Sequence, residues 1–251
     1  MFKKIFIIFL FFNATLMAKN PLEKRFDLYF RTLDGAPYRI LYILHQDAVE
    51  KKQIEINAFH NVFYKKIFWS SLPPADILIF SNQKQFLIKS KVPKGYQAYY
   101  LPDKQMIVTY DGQDTGVLLH EIVHHWIKSN IRGNIRLWFE EGLASLFESP
   151  VRTKNGIDYF LPNNRHEKLK GKWIRLDQFM NTVDLARDQD KAQARLIFLW
   201  LAQNNLLEKY VRAYADNLDF DFSGVDALEE VTGKNIKELD SILKIYSDSL
   251  H

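Results

Sequence analysis

Apolar residues in this chain repeat at helical spacing in some segments and alternate or run together in others. The helical spacing predicts helices over 47–68, 114–129, 137–148, 191–204, 206–217, 225–231 and 236–247. Short apolar runs bounded by turn residues predict strands over 38–44, 76–81, 96–102 and 105–110. Asn20-Pro21 predicts a further helix that continues to about Leu33 and ends at Asp34-Gly35. Residues 151–173 are polar and irregular, and Asn155-Gly156 within them predicts a turn.

The predicted strands lie in the first half of the chain, and the second half is mainly helical. This order favours an α+β fold. We expect a mixed α/β lobe over about 19–130 and a helical lobe over about 131–251, with the functional cleft between them.

Composition indicates a folded protein that does not bind nucleic acid. Apolar residues make up 47% of the chain and aromatic residues 14%, which is typical of a globular domain. There is no cysteine, so disulfides and cysteine-ligated metals are excluded. The formal charge of +4 falls to +2 if residues 1–18 are removed, since they contain Lys3 and Lys4 and no acidic residue. The sequence has no Lys/Arg-rich run either.

The first eighteen residues are typical of a bacterial signal peptide. Lys3 and Lys4 precede an apolar segment over 5–12, and Leu16-Met17-Ala18 ends in a small residue suited to cleavage. We therefore expect an exported protein, periplasmic or secreted, without a permanent membrane span after cleavage. The alternative is an uncleaved N-terminal anchor, because Leu16 is larger than the usual residue at its position.

The most informative segment is His120-Glu121-Ile122-Val123-His124. Residues four apart lie on one face of a helix, so His120 and His124 can bind one metal ion. Glu121 lies beside them, where it can take a proton from a metal-activated water. An acidic residue on the next helix can complete three protein ligands and leave the fourth zinc position open, as in catalytic zinc sites.

The following segment carries a family resemblance. Leu137-Trp138-Phe139-Glu140-Glu141-Gly142-Leu143-Ala144-Ser145 resembles the Trp-Leu-x-Glu-Gly-Phe-Ala stretch of zinc aminopeptidases. Together with the His-Glu-x-x-His segment, it is similar to the gluzincin metallopeptidases, which include thermolysin, and to the small bacterial peptidase MA-like domains. The resemblance assigns the third ligand to Glu141 rather than Glu140.

The resemblance implies a thermolysin-like catalytic domain over 19–251 that holds Zn²⁺ between its two lobes. His120, His124 and Glu141 would bind the zinc, and Glu121 would act as the general base in hydrolysing a peptide or protein substrate. The sixteen residues between His124 and Glu141 form a slightly shorter spacing than the resembled families have. Gly133 and Asn134 lie in this gap and suit a tight turn between the two helices.

The group that stabilises the oxyanion is not identified by the pattern. Related domains carry a Tyr just before an Ala-Gln-Ala-like stretch, and here Lys191 occupies that position before Ala192-Gln193-Ala194. Lys191 and Arg195 can stabilise an anion, but both are equally compatible with a solvated helix face. Other candidates without supporting spacing are Tyr159, Tyr210 and Tyr214.

Two alternatives to an enzyme stay open at this point. The first is a zinc-bound but non-catalytic module that binds a peptide or envelope protein, suggested by Lys191 at the Tyr position. The second is a structural envelope domain without metal.

On the same helix as the metal ligands, His125 points about 100° away from His124, which favours a packing role or a hydrogen bond to a ligand over direct ligation.

Overall fold

A five-stranded mixed sheet occupies the first half of the structure. The computed structural model describes residues 31–35, 38–42, 46–66, 73–154, 156–182 and 184–250. The sheet order is β1-β2-β3-β5-β4, with β2, β3 and β5 parallel and the outer strands antiparallel to their neighbours. The strands are β1 Arg31–Gly35, β2 Tyr38–Tyr42, β3 Ala75–Phe80, β4 Ala98–Leu101 and β5 Met106–Tyr110. Within the described residues, β4 pairs with a strand on one side only and is an edge strand.

Helices cover both faces of the sheet. Central strands buried on both faces carry continuous apolar runs, and β3 shows this after Asp76, with Ile77, Leu78, Ile79 and Phe80 fully buried. On one face, Phe86 packs its ring 6.3 Å from that of Phe80. Phe86 belongs to α2 (Gln83–Ser90), which covers this face. The opposite face is covered by α1 (Gln46–Lys66) and α3 (Thr115–Asn130).

Beyond α3 the chain is mainly helical. The longer helices are α4 Leu137–Leu146, α6 Asp188–Gln203, α7 Leu207–Asn217, α8 Val225–Thr232 and α9 Ile236–Ser249, and a short α5 spans Leu176–Met180. A two-stranded hairpin, β6 Val151–Thr153 with β7 Gly156–Asp158, follows α4. Aromatic rings fix α4 against α7, where Phe139 and Tyr214 stack with centroids 3.9 Å apart.

The predicted α+β order is confirmed, but one of the predicted elements in the described residues is wrong. Residues predicted to end a helix at Leu33 instead form β1, which pairs with β2 so that Leu33 lies opposite Ile40. The antiparallel ladder with a buried neighbour outweighs the local helix signals. The short helices α2 and α5 were not predicted. The predicted signal peptide over 1–18 and the helix start at Asn20 lie outside the described residues.

The described residues belong to one compact unit, Arg31–His251. Among them, no helix combines the length and the apolar character needed to cross a bilayer. The unit is organised around α4, which packs against α3 on one side and α6 on another and so positions the candidate site.

The start of α3 packs directly on the backbone that follows α4. A Cβ atom added to Gly116 would lie 1.7 Å from the carbonyl oxygen of Glu148. Only a residue without a side chain permits this approach. Because His120 lies one turn after Gly116, the contact brings Glu148 beside the metal-binding face.

We predict that Gly116→Ala lowers the free energy of unfolding by about 1–3 kcal/mol or more, since the added methyl group overlaps backbone that must move. Urea denaturation of wild type and variant measures the difference. Lys244→Ala, at an exposed position of α9, is the matched control and should leave the midpoint unchanged. Equal midpoints for Gly116→Ala and wild type would show that the close contact is absent in solution.

Candidate metal centre

Two histidines on α3 point their ring nitrogens at the same place. Asp114 caps the helix by accepting a hydrogen bond from the Gly116 amide at 2.9 Å. One turn further on, the Nε2 atoms of His120 and His124 lie 2.9 Å apart. This is the geometry expected for helix positions four apart, and it leaves both Nε2 atoms facing one point.

Helix α4 presents Glu141 to the same point. Of residues 138–147, all of which the structure describes, only Glu141 is not buried. Its carboxylate oxygens lie 3.5 Å from His124 Nε2 and 3.9 Å from His120 Nε2. Glu141 is therefore the only partly exposed residue in this segment of α4, and its carboxylate lies next to the two imidazoles.

The three side chains fit a tetrahedral zinc ion. Nitrogen and oxygen ligands bind zinc at 2.0–2.2 Å, so two ligands of a tetrahedral site lie about 3.3 Å apart. The observed separations of 2.9, 3.5 and 3.9 Å bracket that value. The side chains of His120, His124 and Glu141 are 12%, 13% and 18% exposed, so one side of the site is open to solvent. They can hold a metal ion with a position left for water or substrate.

A second carboxylate from α4 lies behind His124. Glu140 Oε1 is 3.3 Å from His124 Nδ1, and Lys128 donates a 2.8 Å hydrogen bond from its Nζ to Glu140 Oε2. A carboxylate at Nδ1 orients the ring and keeps the Nε2 lone pair for the metal. The two adjacent glutamates therefore take different positions, Glu141 at the metal point and Glu140 behind a ligand.

His120 also has a carboxylate beside its Nδ1 atom. Glu148, just beyond the end of α4, places Oε1 3.0 Å from His120 Nδ1, and Arg165 pairs with the same carboxylate. Three residues of this outer layer, Lys128, Glu148 and Arg165, were not identified from the sequence. Two of them carry a positional signal, since Lys128 lies four residues after His124 and Glu148 seven after Glu141, which are same-face helical spacings.

The two acid–base partners at the metal point have opposite pKa shifts. Burial lowers the pKa of His124, but hydrogen bonds to Glu140 and Glu141 outweigh it and raise the pKa to about 10. Burial raises the pKa of Glu141, but the hydrogen bond to His124 and the charges of His120, His124 and Lys191 outweigh it and lower the pKa to about 2. Without metal, the site is therefore an ion pair between an imidazolium and a carboxylate.

Glu121 shares this electrostatic environment without belonging to the ligand cluster. Burial raises the pKa of Glu121, while the charges of His120 and His124 act against the increase. A carboxylate that accepts a proton more readily than usual is better suited to general base chemistry near neutral pH.

His125 faces away from the metal point, toward the edge strand. It is fully buried, with Nε2 3.0 Å from the carbonyl oxygen of Pro73 and Nδ1 2.9 Å from the hydroxyl of Tyr100 in β4. A carbonyl only accepts, so Nε2 carries the proton and Nδ1 accepts from Tyr100. His125 thus ties the free edge of the sheet to the helix that carries the metal ligands.

Arg195 is also removed from the cleft. Its side chain is fully buried and donates to the carbonyl oxygens of Ser145 and Leu161 at 3.0 and 2.9 Å. A third guanidinium nitrogen lies 3.1 Å from Nε2 of the buried His166. The guanidinium therefore connects α6 to the end of α4 and to the loop after the hairpin.

The three tyrosine candidates are core residues. Tyr159 packs against Phe59, with ring centroids 5.6 Å apart. The hydroxyl of Tyr210 donates to the Gly224 carbonyl, and that of Tyr214 accepts from the Arg136 amide at 3.0 Å. All three side chains are at most 2% exposed, so none reaches the open side of the metal point.

No protein-family model and no curated protein matches the chain. Among solved structures, the chain is similar to yeast LTA4 hydrolase in complex with bestatin, with a TM-score of 0.50 and 16% identity over 85% of this chain. Native yeast LTA4 hydrolase gives 0.49 at 15% identity over 84%, and native leukotriene A4 hydrolase from Saccharomyces cerevisiae gives 0.47 at 16% over 85%. The chain spans only 38% of the length of each. At such identity the bestatin complex shows a likeness of fold.

We predict that the purified protein binds about one zinc ion per chain. Tight zinc binding should be lost in each of the variants His120→Ala, His124→Ala and Glu141→Ala. Glu140→Ala should weaken zinc affinity by only about 10–100-fold, because it removes a partner of a ligand and not a ligand. Metal analysis and competition with a zinc-binding dye measure both effects. If Glu140→Ala abolishes binding and Glu141→Ala does not, the ligand assignment is wrong.

Zinc affinity should also depend on pH. Zinc binds only the neutral form of His124. The raised pKa of about 10 keeps the His124 imidazole protonated below that pH, so zinc must displace this proton. Glu141 is already ionised, because its pKa is lowered to about 2. The apparent affinity should therefore rise about tenfold per unit between about pH 6 and 8. Dye competition at several pH values tests this, and a flat profile would show that His124 is neutral without metal.

Proposed function

We propose that this protein is a zinc-dependent hydrolase of gluzincin type that cleaves peptide bonds. The observation that carries the proposal is the convergence of His120, His124 and Glu141 on one partly open point, with a carboxylate behind each imidazole. The His-Glu-x-x-His segment and the fold likeness to a hydrolase support the same reading.

When bound, zinc would polarise the substrate carbonyl and lower the pKa of the attacking water. Glu121 accepts a proton from that water and later donates it to the leaving amine. Its raised pKa supports both steps, since the group must hold the proton between them. Glu140 and Glu148 hold the two imidazoles in orientation throughout.

The substrate class is suggested by the edge strand. A peptide can add to the free edge of β4 by main-chain hydrogen bonds, and His125 fixes this strand relative to the metal ligands. A cavity of about 560 Å³ lies between Gln97, which directly precedes β4, and the ion pair of Glu148 with Arg165. Glu148 is also the carboxylate beside His120, so the cavity adjoins the candidate site. An extended peptide following β4 toward Gln97 would place one of its side chains in this cavity.

Export is part of the proposal and rests on the N-terminal sequence. The basic residues, the apolar segment and Ala18 favour removal of 1–18 and a mature catalytic domain over 19–251 in the bacterial periplasm or outside the cell. Its partner would be a peptide or protein substrate.

One observation favours a second function, a zinc-bound module that binds peptides without cleaving them. Lys191 Nζ lies 3.5 Å from Glu141 Oε2, so a cation stands beside the third ligand in a chain whose tyrosine candidates are buried. The two functions differ in turnover and not in metal content.

We predict that Glu121→Gln keeps zinc near the wild-type level and lowers peptidase activity by roughly two to four orders of magnitude, because the variant keeps the shape and loses the base. Turnover of a mixed peptide library by zinc-loaded protein measures the effect. Glu230→Gln, an exposed change on α8, should leave turnover unchanged.

Equal turnover by wild type and Glu121→Gln, with zinc retained in both, would contradict the mechanism. Zinc binding without turnover in either protein would favour the non-catalytic module.

A further inference from the structure

Three cations surround the metal point in the described part of the chain, and they differ in what they contact. Lys128 and Arg165 pair with Glu140 and Glu148, the carboxylates behind the imidazoles. Lys191 instead contacts Glu141, the carboxylate at the metal point, with Nζ 3.5 Å from Oε2. Its side chain is 41% exposed, and its ammonium group contacts the carboxylate that reaches the metal point.

The position of Lys191 follows from close helix packing. A Cβ atom on Gly142 would lie 2.8 Å from the carbonyl oxygen of Ala194 and 2.7 Å from the ring of Phe198, so α4 and α6 touch at this glycine. Glu141 immediately precedes Gly142, and Lys191 lies one helical turn before Ala194. The contact therefore holds the first turn of α6 against the third ligand.

Peptide hydrolysis creates a negative charge that needs such a group. When water attacks the carbonyl carbon, a C–O bond forms, the π electron pair moves to the carbonyl oxygen and Glu121 takes the water's proton. Breaking the C–N bond then returns an electron pair from that oxygen to the carbon, the C–N pair leaves with nitrogen, and Glu121 returns the proton to the amine. A donor placed at the oxygen stabilises the charge between these steps.

The other candidates for this donor are buried. Arg195 is engaged by two carbonyls and His166, and the hydroxyls of Tyr210 and Tyr214 are engaged in the core. Tyr159 is 2% exposed among aromatic rings. Of the groups considered from the sequence, Lys191 alone is both exposed and in contact with a ligand.

We propose that Lys191 is a catalytic residue whose ammonium group leaves Glu141 to donate a hydrogen bond to the substrate oxyanion. The proposal deepens the proposed function and rests on it. The same cation would also bind other anions that enter the open position, and this provides a readout apart from turnover.

The test begins with Lys191→Met, which keeps a flexible unbranched side chain of similar length and removes the charge. We expect kcat to fall about 10²–10³-fold with little change in KM, since the lost contact forms only as the oxyanion develops. Zinc affinity should stay the same or rise, because an ammonium group that repels Zn²⁺ has been removed. A merely structural role would instead lower zinc affinity and stability together.

Lys191→Arg and Lys209→Met complete the set. Arginine keeps a cation with several donors, so part of the lost kcat should return in Lys191→Arg. Lys209 is exposed on α7, and its replacement should change nothing. No recovery with arginine, together with a stability loss in both Lys191 variants, would overturn the proposal.

The second readout uses inorganic phosphate as an anion and imidazole as a neutral metal ligand, each titrated into zinc-loaded protein by calorimetry. Lys191→Met should weaken phosphate binding about tenfold or more, because a hydrogen bond between charged groups is lost, and leave imidazole binding unchanged. Equal phosphate affinity in wild type and variant would contradict the proposal even in the absence of turnover.

The outcomes separate this proposal from the proposed function. If wild type is active and kcat is unchanged in Lys191→Met, the proposed role of Lys191 is wrong and the proposed function stands. If zinc-loaded wild type shows no turnover but its phosphate binding depends on Lys191, the proposed peptidase function is wrong and Lys191 is still an anion-binding residue. A wild type that binds no zinc overturns both.

Discussion

The candidate metal centre depends on how closely three helices can approach one another. Gly116 lets the start of α3 touch the backbone at Glu148, and Gly142 lets α4 touch α6 at Ala194. Each contact lies one turn or less from a residue of the site. A side chain at either glycine would separate the helices and with them the imidazoles, the carboxylates and Lys191. The ligand geometry is thus set by backbone packing and not by the ligands themselves.

Charge balance follows from the same packing. Three partly or fully buried carboxylates, Glu140, Glu141 and Glu148, would be costly alone, and each meets one cation. The imidazolium of His124 adds a further positive charge in the absence of metal. Zinc would replace that proton, so the site exchanges one positive group for another without leaving an anion uncompensated.

Local sequence was sufficient for the elements that carry the ligands. The Asp114 cap and the four-residue histidine spacing fix α3 and its metal-binding face, and the aromatic run around Trp138 fixes α4. The outer layer was less accessible, because Arg165 reaches Glu148 only through the tertiary fold. Strand β1 was mispredicted for the same reason, since its pairing with β2 is invisible to local propensity. Likewise, the sequence offers Arg195 and Lys191 as equal candidates, and only burial distinguishes them.

We propose that one zinc ion is held by His120, His124 and Glu141, and anomalous diffraction at the zinc edge from crystals of zinc-loaded protein would locate that ion. We expect a single strong peak about 2.0–2.2 Å from Nε2 of both histidines and from a Glu141 oxygen. A peak bound by Glu140 or Glu148 in place of Glu141, or located away from both histidines, would show that this ligand set is wrong.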